Sequence, residues 1–164
     1  MANASPIYEE GFRPGYLGRM IQMQGEYYDV VWAEPGMNFE VLMARQMCDF
    51  REGYNTDHDL LITANLSQQI VGYLAVVGNS KERSGARLRW FLVEEKYQGM
   101  GIGCELLNRA LNFCRKAGFK TAWLWTMENL EKAQRLYAQA GFKPVADTTV
   151  SMPPHGIILE IALV

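Results

Sequence analysis

The sequence is short of the residues that build metal centres and disulfide frameworks: it has three cysteines and two histidines in 164 residues. Cys48, Cys104 and Cys114 are odd in number and their spacings match neither a disulfide framework nor a zinc site, and His58 and His155 lie far apart. A reduced, metal-free protein is expected. No apolar run approaches the roughly 18 residues that a membrane span needs. The start, MANASPIYEEGFRPG, lacks the basic stretch and apolar block of a secretory signal, so a cytoplasmic location is expected. Neither sign of charge prevails, with 16 basic against 18 acidic residues and a formal charge of −2. That balance argues against nucleic acid or an anionic membrane as the main partner. Repeats, low-complexity tracts and linkers are missing too, so residues 1–164 are expected to form one domain.

What is present is an ordered alternation of apolar patterns. Leu17, Met20, Ile21, Met23, Tyr27, Tyr28, Val31 and Trp32 predict a helix from Tyr16, irregular near Gly25 and broken by Glu34-Pro35-Gly36. Phe39, Leu42, Met43, Met47 and Phe50 predict a second over 38–52. Leu60–Ala64 and Ile70–Val77 read as an antiparallel hairpin joined by the polar stretch Asn65–Gln69. After a polar loop, Gly78–Gly85, come a strand over Arg87–Val93, a helix over 102–117 stopping at Gly118, and a strand over Thr121–Thr126. A helix over 130–140 ends at Gly141, and Ile157–Val164 forms the last strand. A strand–helix–strand unit from 87 to 126 requires a right-handed crossover and a parallel pair. The class is therefore α+β (or α/β) with a mixed, largely antiparallel sheet and helices on both faces. The methionines and Trp90, Trp123, Trp125 and Phe142 read first as core or sheet-face packing.

The segment that carries chemistry is the run from Leu88 to Leu107, in which glycines at 99, 101 and 103 sit between a strand and a helix. Such glycines let backbone N–H groups approach a ligand. The helix N-terminus adds unpaired donors and about half a positive charge, which together suit a pyrophosphate. Gly103-Cys104-Glu105 does not complete a Walker loop. Gly99-x-Gly101-x-x-Cys104 lacks the third glycine of a dinucleotide fingerprint, and 119–125 lacks the acidic residue wanted about 20 positions on. An oxidoreductase of that kind is thus disfavoured, while a plain structural turn stays open.

Gln98-x-x-Gly101-x-Gly103 resembles the signature of the GNAT superfamily of N-acetyltransferases, and Ala133-x-x-Leu136-Tyr137-x-x-x-Gly141-Phe142 resembles its next motif. The likeness is firm over about 60–164. Arg13-Pro14-Gly15-Tyr16-Leu17-Gly18 is similar to a bacterial subgroup found fused to MarR-type regulators. The resemblance implies acetyl transfer from acetyl-CoA, used as co-substrate without a metal, to an amine of a small molecule or peptide. It implies that the backbone of Phe91, Leu92 and Val93 pairs with the pantetheine arm. Gln98, Gly99, Met100, Gly101, Ile102, Gly103 and Cys104 would hold the pyrophosphate, and Tyr137 would protonate the departing thiolate. The bland alternative for Tyr137 is core packing.

Departures from the pattern are equally plain. Arg87 stands where many members carry a strand glutamate, Arg89 shares its face by period two, and Leu130 stands where an asparagine often touches the cofactor. Asn129 is expected to cap the following helix instead. The general base is open among Glu94 and Glu95, which read as solvated loop carboxylates, and His155. Tyr27, Tyr28, Trp32 and Met37 fall where the family lines its acceptor pocket, though most are expected in the core. The two arginines point weakly to an acceptor carrying a carboxylate. A binding module that senses acyl-CoA without turnover is the runner-up, and nothing in the sequence decides between a monomer and a homodimer.

Overall fold

The computed structural model describes residues 5–31, 38–146 and 156–163. Its elements are β1 (Ile7–Glu10), α1 (Tyr16–Val31), α2 (Phe39–Glu52), β2 (Leu60–Leu66), β3 (Gln69–Val77), β4 (Ala86–Val93), a short 3-10 turn (Glu95–Tyr97), α3 (Ile102–Lys116), β5 (Thr121–Met127), α4 (Glu131–Ala140), β6 (Lys143–Pro144) and β7 (Gly156–Ala162). The strands form one sheet in the order β1-β2-β3-β4-β5-β7-β6. Every neighbouring pair is antiparallel except β4 and β5.

The long apolar runs of β2 and β3 follow from burial on both faces. One face packs Leu60, Ile62, Val71, Leu74 and Val76 against Leu106, Leu107, Ala110 and Leu111 of α3 and Tyr137 of α4. The other packs Leu61, Ile70, Tyr73 and Ala75 against Met20 and Met23 of α1 and Met43, Met47 and Phe50 of α2. Met20, Met23, Met43 and Met47 thus serve the packing expected of them. The Tyr73 hydroxyl, fully buried, donates to the Met20 carbonyl at 3.0 Å and ties α1 to the sheet.

Three expectations need correction. The hairpin strands reach Leu66 and start again at Gln69, so the turn is Ser67-Gln68 alone, both at positive φ (49° and 63°). Two left-handed central residues make the tight hairpin turn usually announced by Asn-Gly, a signal Ser-Gln does not carry. Helix α1 runs unbroken through Gly25, which is buried where α2 brings Glu40 within 3.5 Å of a Cβ built there. Close helix approach, not a kink, is the use of that glycine. The strands β1 and β6 were not anticipated: each is short and pairs with one neighbour only.

Candidate functional site

Strands β4 and β5 begin side by side and then part. Their parallel pairing covers Ala86–Ala122, Arg87–Trp123 and Leu88–Leu124 and goes no further, although β4 continues to Val93 and β5 to Met127. On its other side β4 stays bonded to β3 as far as Val93. The backbone of Arg89–Val93 therefore faces a wedge with no strand in it, and backbone donors and acceptors left open in this way invite an extended ligand.

A bulge in β4 sets which side chains enter the wedge. Trp90 sits at φ 52°, and opposite it the register with β3 steps from Tyr73–Leu92 to Ala75–Arg89. One extra residue in a strand re-aims everything after it. Arg87, Arg89 and then Trp90 consequently share the α1/α2 side, the Arg89 guanidinium carbon lying 4.3 Å from the Trp90 ring centre. Phe91 and Val93 turn to the α3/α4 side.

Past the strand, the 3-10 turn leads to Gly99 (φ 79°) and Gly101 (φ 81°). Gly101 is the N-cap of α3, has no side-chain cap, and a Cβ built on it meets no atom within 4 Å. The first intrahelical bond runs from the Glu105 amide to the Gly101 carbonyl, so the amides of Ile102, Gly103 and Cys104 precede the helical ladder. Glycines with open space before them, joined to an uncapped helix start, form an anion cradle. A Cβ built on Gly103 would lie 3.4 Å from Leu136 and 3.5 Å from Phe91, in ordinary contact.

These parts line one cleft of about 2120 Å³. That exceeds the ~300–1,000 Å³ of a site for one drug-sized ligand, as an elongated ligand plus a second substrate would require. Phe91, Leu92, Val93, Gln98, Gly99, Gly101, Gly103, Cys104 and Tyr137 all reach it. Met100 and Ile102 do not: Met100 is half exposed, and Ile102 anchors α3 in the core. Gln98 is already engaged, its Nε2 donating to the Val93 carbonyl at 3.1 Å and its Oε1 accepting from Lys132 at 3.4 Å.

Tyr137 is buried, with its ring 6.1 Å from Phe91 and 5.9 Å from Phe142. Its hydroxyl has no hydrogen-bond partner among the described residues. Burial first, then Tyr28 and Tyr27, push its pKa well above the ordinary 10, so it is a protonated donor at neutral pH. Core packing and access to the cleft hold together for this residue. Tyr27 and Tyr28 line the same cleft, half-buried, and burial lifts Tyr28 to about 12. They are cleft walls more than core. Trp125 too is a half-buried, cleft-lining residue of the sheet face, while Phe142 is core.

Two more expectations are corrected here. Glu94 is paired rather than solvated: Arg19 forms a close ion pair with it and Lys96 lies at 3.1 Å. Glu95 is exposed. Asn129 does not cap α4, whose N-cap is Leu130 with no side-chain bond; Asn129 lines the cleft one residue earlier. His58 is held by Asp59 and Asn79, each at 3.0 Å, away from the cleft. His155, Trp32 and Met37 lie outside the described residues. Lys132, in the first turn of α4, was overlooked; a cation there opposes the helix dipole, and that was the available signal. Among the described residues no three His, Cys, Asp or Glu side chains gather as a metal centre requires, and no helix is long and apolar enough to cross a membrane.

Comparison with known proteins places these features in context. Residues 23–142 match the model of the acetyltransferase (GNAT) family. An uncharacterized N-acetyltransferase of Methanocaldococcus jannaschii is 26% identical over 91 residues, which are 53% of this chain and 40% of that protein. The chain thus spans less than half of that relative. An uncharacterized N-acetyltransferase of Mycobacterium tuberculosis is 27% identical over 65% of this chain and 67% of its own length. The crystal structure of an acetyltransferase from Streptococcus agalactiae superposes with a TM-score of 0.78 at 19% identity, covering 97% of this chain and 99% of that one. The PaiA N-acetyltransferase of Thermoplasma acidophilum, solved in complex with coenzyme A, gives 0.71 at 17% identity over 95% and 99%. At such identities the likeness is one of fold.

Proposed function

The chain belongs to the acetyltransferase (GNAT) family, and from that premise we propose that it transfers an acetyl group from acetyl-CoA to a primary amine of a small molecule or peptide. The observation that carries the proposal is the continuous path from the wedge between β4 and β5 to the uncapped start of α3. An extended arm and a pyrophosphate fit that path in order, and a solved structural neighbour is a complex with coenzyme A. The donor supplies a thioester, which an amine attacks directly: the N–C bond forms, the C–S bond breaks, the amine gives up a proton and the sulfur gains one.

The chain's own residues bind and move protons around that exchange. Backbone groups of Phe91–Val93 hold the arm as an added strand. The amides at Gly99–Cys104 take the pyrophosphate, with the α3 dipole behind them. Tyr137 holds a proton at its hydroxyl for the departing sulfur, a thiolate of ordinary pKa near 8.5. Placement nearest the acetyltransferase part of MarR fusions is supported by the sequence of Arg13–Gly18 alone.

A non-catalytic acyl-CoA sensor is the second reading, favoured by β4 carrying arginines at 87 and 89 and by Glu94 being held in ion pairs. Calorimetry with CoA, alongside thiol release over a panel of amines, separates the two. Tight CoA binding with no thiol release for any amine would establish the sensor and exclude the transferase.

A further inference from the structure

The apex of the wedge holds a second polar cluster, well apart from the glycine loop. Arg87 stands six residues before Val93, a distance of roughly 20 Å along a strand. A ligand laid along β4 with its anionic end at Gly101 has its reactive end directed toward these arginines. What surrounds them is unusual. Among the described residues, the buried side-chain polar atoms without any partner are Arg87 Nε and the Nε1 atoms of Trp90, Trp123 and Trp125. All four are donors, and all four residues line the cleft. Buried donors left unpaired are costly and uncommon, so Arg87 Nε and the Trp123 indole stacked on that guanidinium want an acceptor that no described residue supplies. Trp125 Nε1 instead packs against Gly156 of β7.

Charge points the same way. Arg87 forms a close ion pair with Glu82, whose side chain is 62% exposed, and stacks 4.9 Å from the Trp123 ring centre. Among the described residues no carboxylate pairs with Arg89: its guanidinium donates to the neutral Gln46 Oε1 at 2.6 Å and lies over Trp90. Burial, and then the neighbouring Arg87, lower Arg89 to about 10, which leaves it cationic at neutral pH. Among the described residues, two cations against one anion leave this end of the cleft one positive charge in surplus. That matches a monoanion better than a doubly charged phosphate.

We propose that Arg87 and Arg89, backed by Trp123 and Trp90, bind the carboxylate of the amine that accepts the acetyl group, so that the acceptors are amino acids or related amino carboxylates. The inference rests on the acetyltransferase reading for the role of the bound amine, though not for the existence of the anion site. Planar guanidinium groups suit a carboxylate because each can donate two parallel bonds. The indole faces supply an apolar wall for the body of the acceptor.

The test uses the CoA-saturated protein and the protein amino acids, each paired with its own carboxamide, with phosphoethanolamine as a separate arm. Binding is read by calorimetry and turnover, with acetyl-CoA, by thiol release. The expected result is at least tenfold tighter binding of the carboxylate in the preferred pairs. Arg89→Met should erase that tenfold, shift the carboxamide by less than threefold, and leave CoA affinity within twofold. Equal binding within every pair, equal loss of both members in Arg89→Met, or tighter binding of phosphoethanolamine than of any amino acid would overturn the proposal. Should Arg89→Met fail to fold, the wild-type ratio decides by itself. Carboxylate-selective binding without thiol release keeps the anion site and removes the transferase reading. Thiol release from carboxamides alone does the reverse.

Discussion

Removing one oxygen atom, in Tyr137→Phe, probes the proposed chemistry with little else disturbed. The ring keeps its packing against Phe91 and Phe142. The hydroxyl has no partner among the described residues, so its loss leaves no described group unsatisfied, and stability should stay within about 0.5 kcal/mol. As donor to the leaving sulfur, that hydroxyl is worth a factor of about 10²–10⁴ in turnover, or roughly 3–5 kcal/mol of activation free energy. CoA affinity should stay within a few-fold, because the lost interaction belongs to the transition state. Tyr73→Phe is the matched control: it removes a buried bond to the Met20 carbonyl, which keeps its partner within α1, and should cost about 0.5–1.5 kcal/mol, lowering the melting temperature by ~2–4 °C per kcal/mol. The assays are thiol release under saturating acetyl-CoA and a thermal melt of both variants. Because the Tyr137 pKa lies above 10, any loss of rate between pH 7 and 10 must come from another group. Full turnover in Tyr137→Phe would refute the acid role and leave the residue a packing element.

Three further outcomes are expected. Gly101→Asp should weaken CoA binding at least about tenfold by calorimetry, since it brings a negative charge to the anion cradle. Gly101→Ala, which meets open space at φ 81°, should show chiefly a strain of about 1 kcal/mol. Gly78→Ala should lower the thermal midpoint with no selective effect on CoA binding, because its Cβ would sit 2.4 Å from the His58 carbonyl oxygen and 2.8 Å from Phe119. Stability should fall as pH rises beyond 10. Burial raises Tyr28 to about 12 and Tyr73 and Tyr137 further, so the unfolded chain loses those protons first and denaturant midpoints should drop across that window.

What could be read from the sequence was local in origin. Apolar residues at 106, 107, 110, 111 and 114 mark one face of α3 whatever it packs against, and those side chains are the buried ones. Glycines at 99 and 101 announce a backbone that other residues resist, and both have positive φ. The uncapped helix start that follows them was therefore legible as an anion site. The strands β2, β3, β4 and β5 were legible as apolar, β-rich runs for the same reason: the pattern is carried by neighbouring residues.

What the sequence withheld depends on pairing between distant segments. IYEE at 7–10 has no strand signal of its own and becomes β1 only because β2 presents an edge to it. The bulge at Trp90, a residue with no bias toward positive φ, arises from the register between β3 and β4. That bulge puts Arg89 and Trp90 on one face, which period two denies. The parting of β4 from β5 after Leu88 has no residue that encodes it, yet it makes the cleft. Composition and periodicity thus determined the class, the helices and the glycine cradle, because each rests on short-range backbone preference and one-dimensional amphipathic order. The wedge, the bulge and the gathering of Arg87 and Arg89 with Trp123 and Trp90 were decided by the tertiary structure, because only strand register brings those groups to one place.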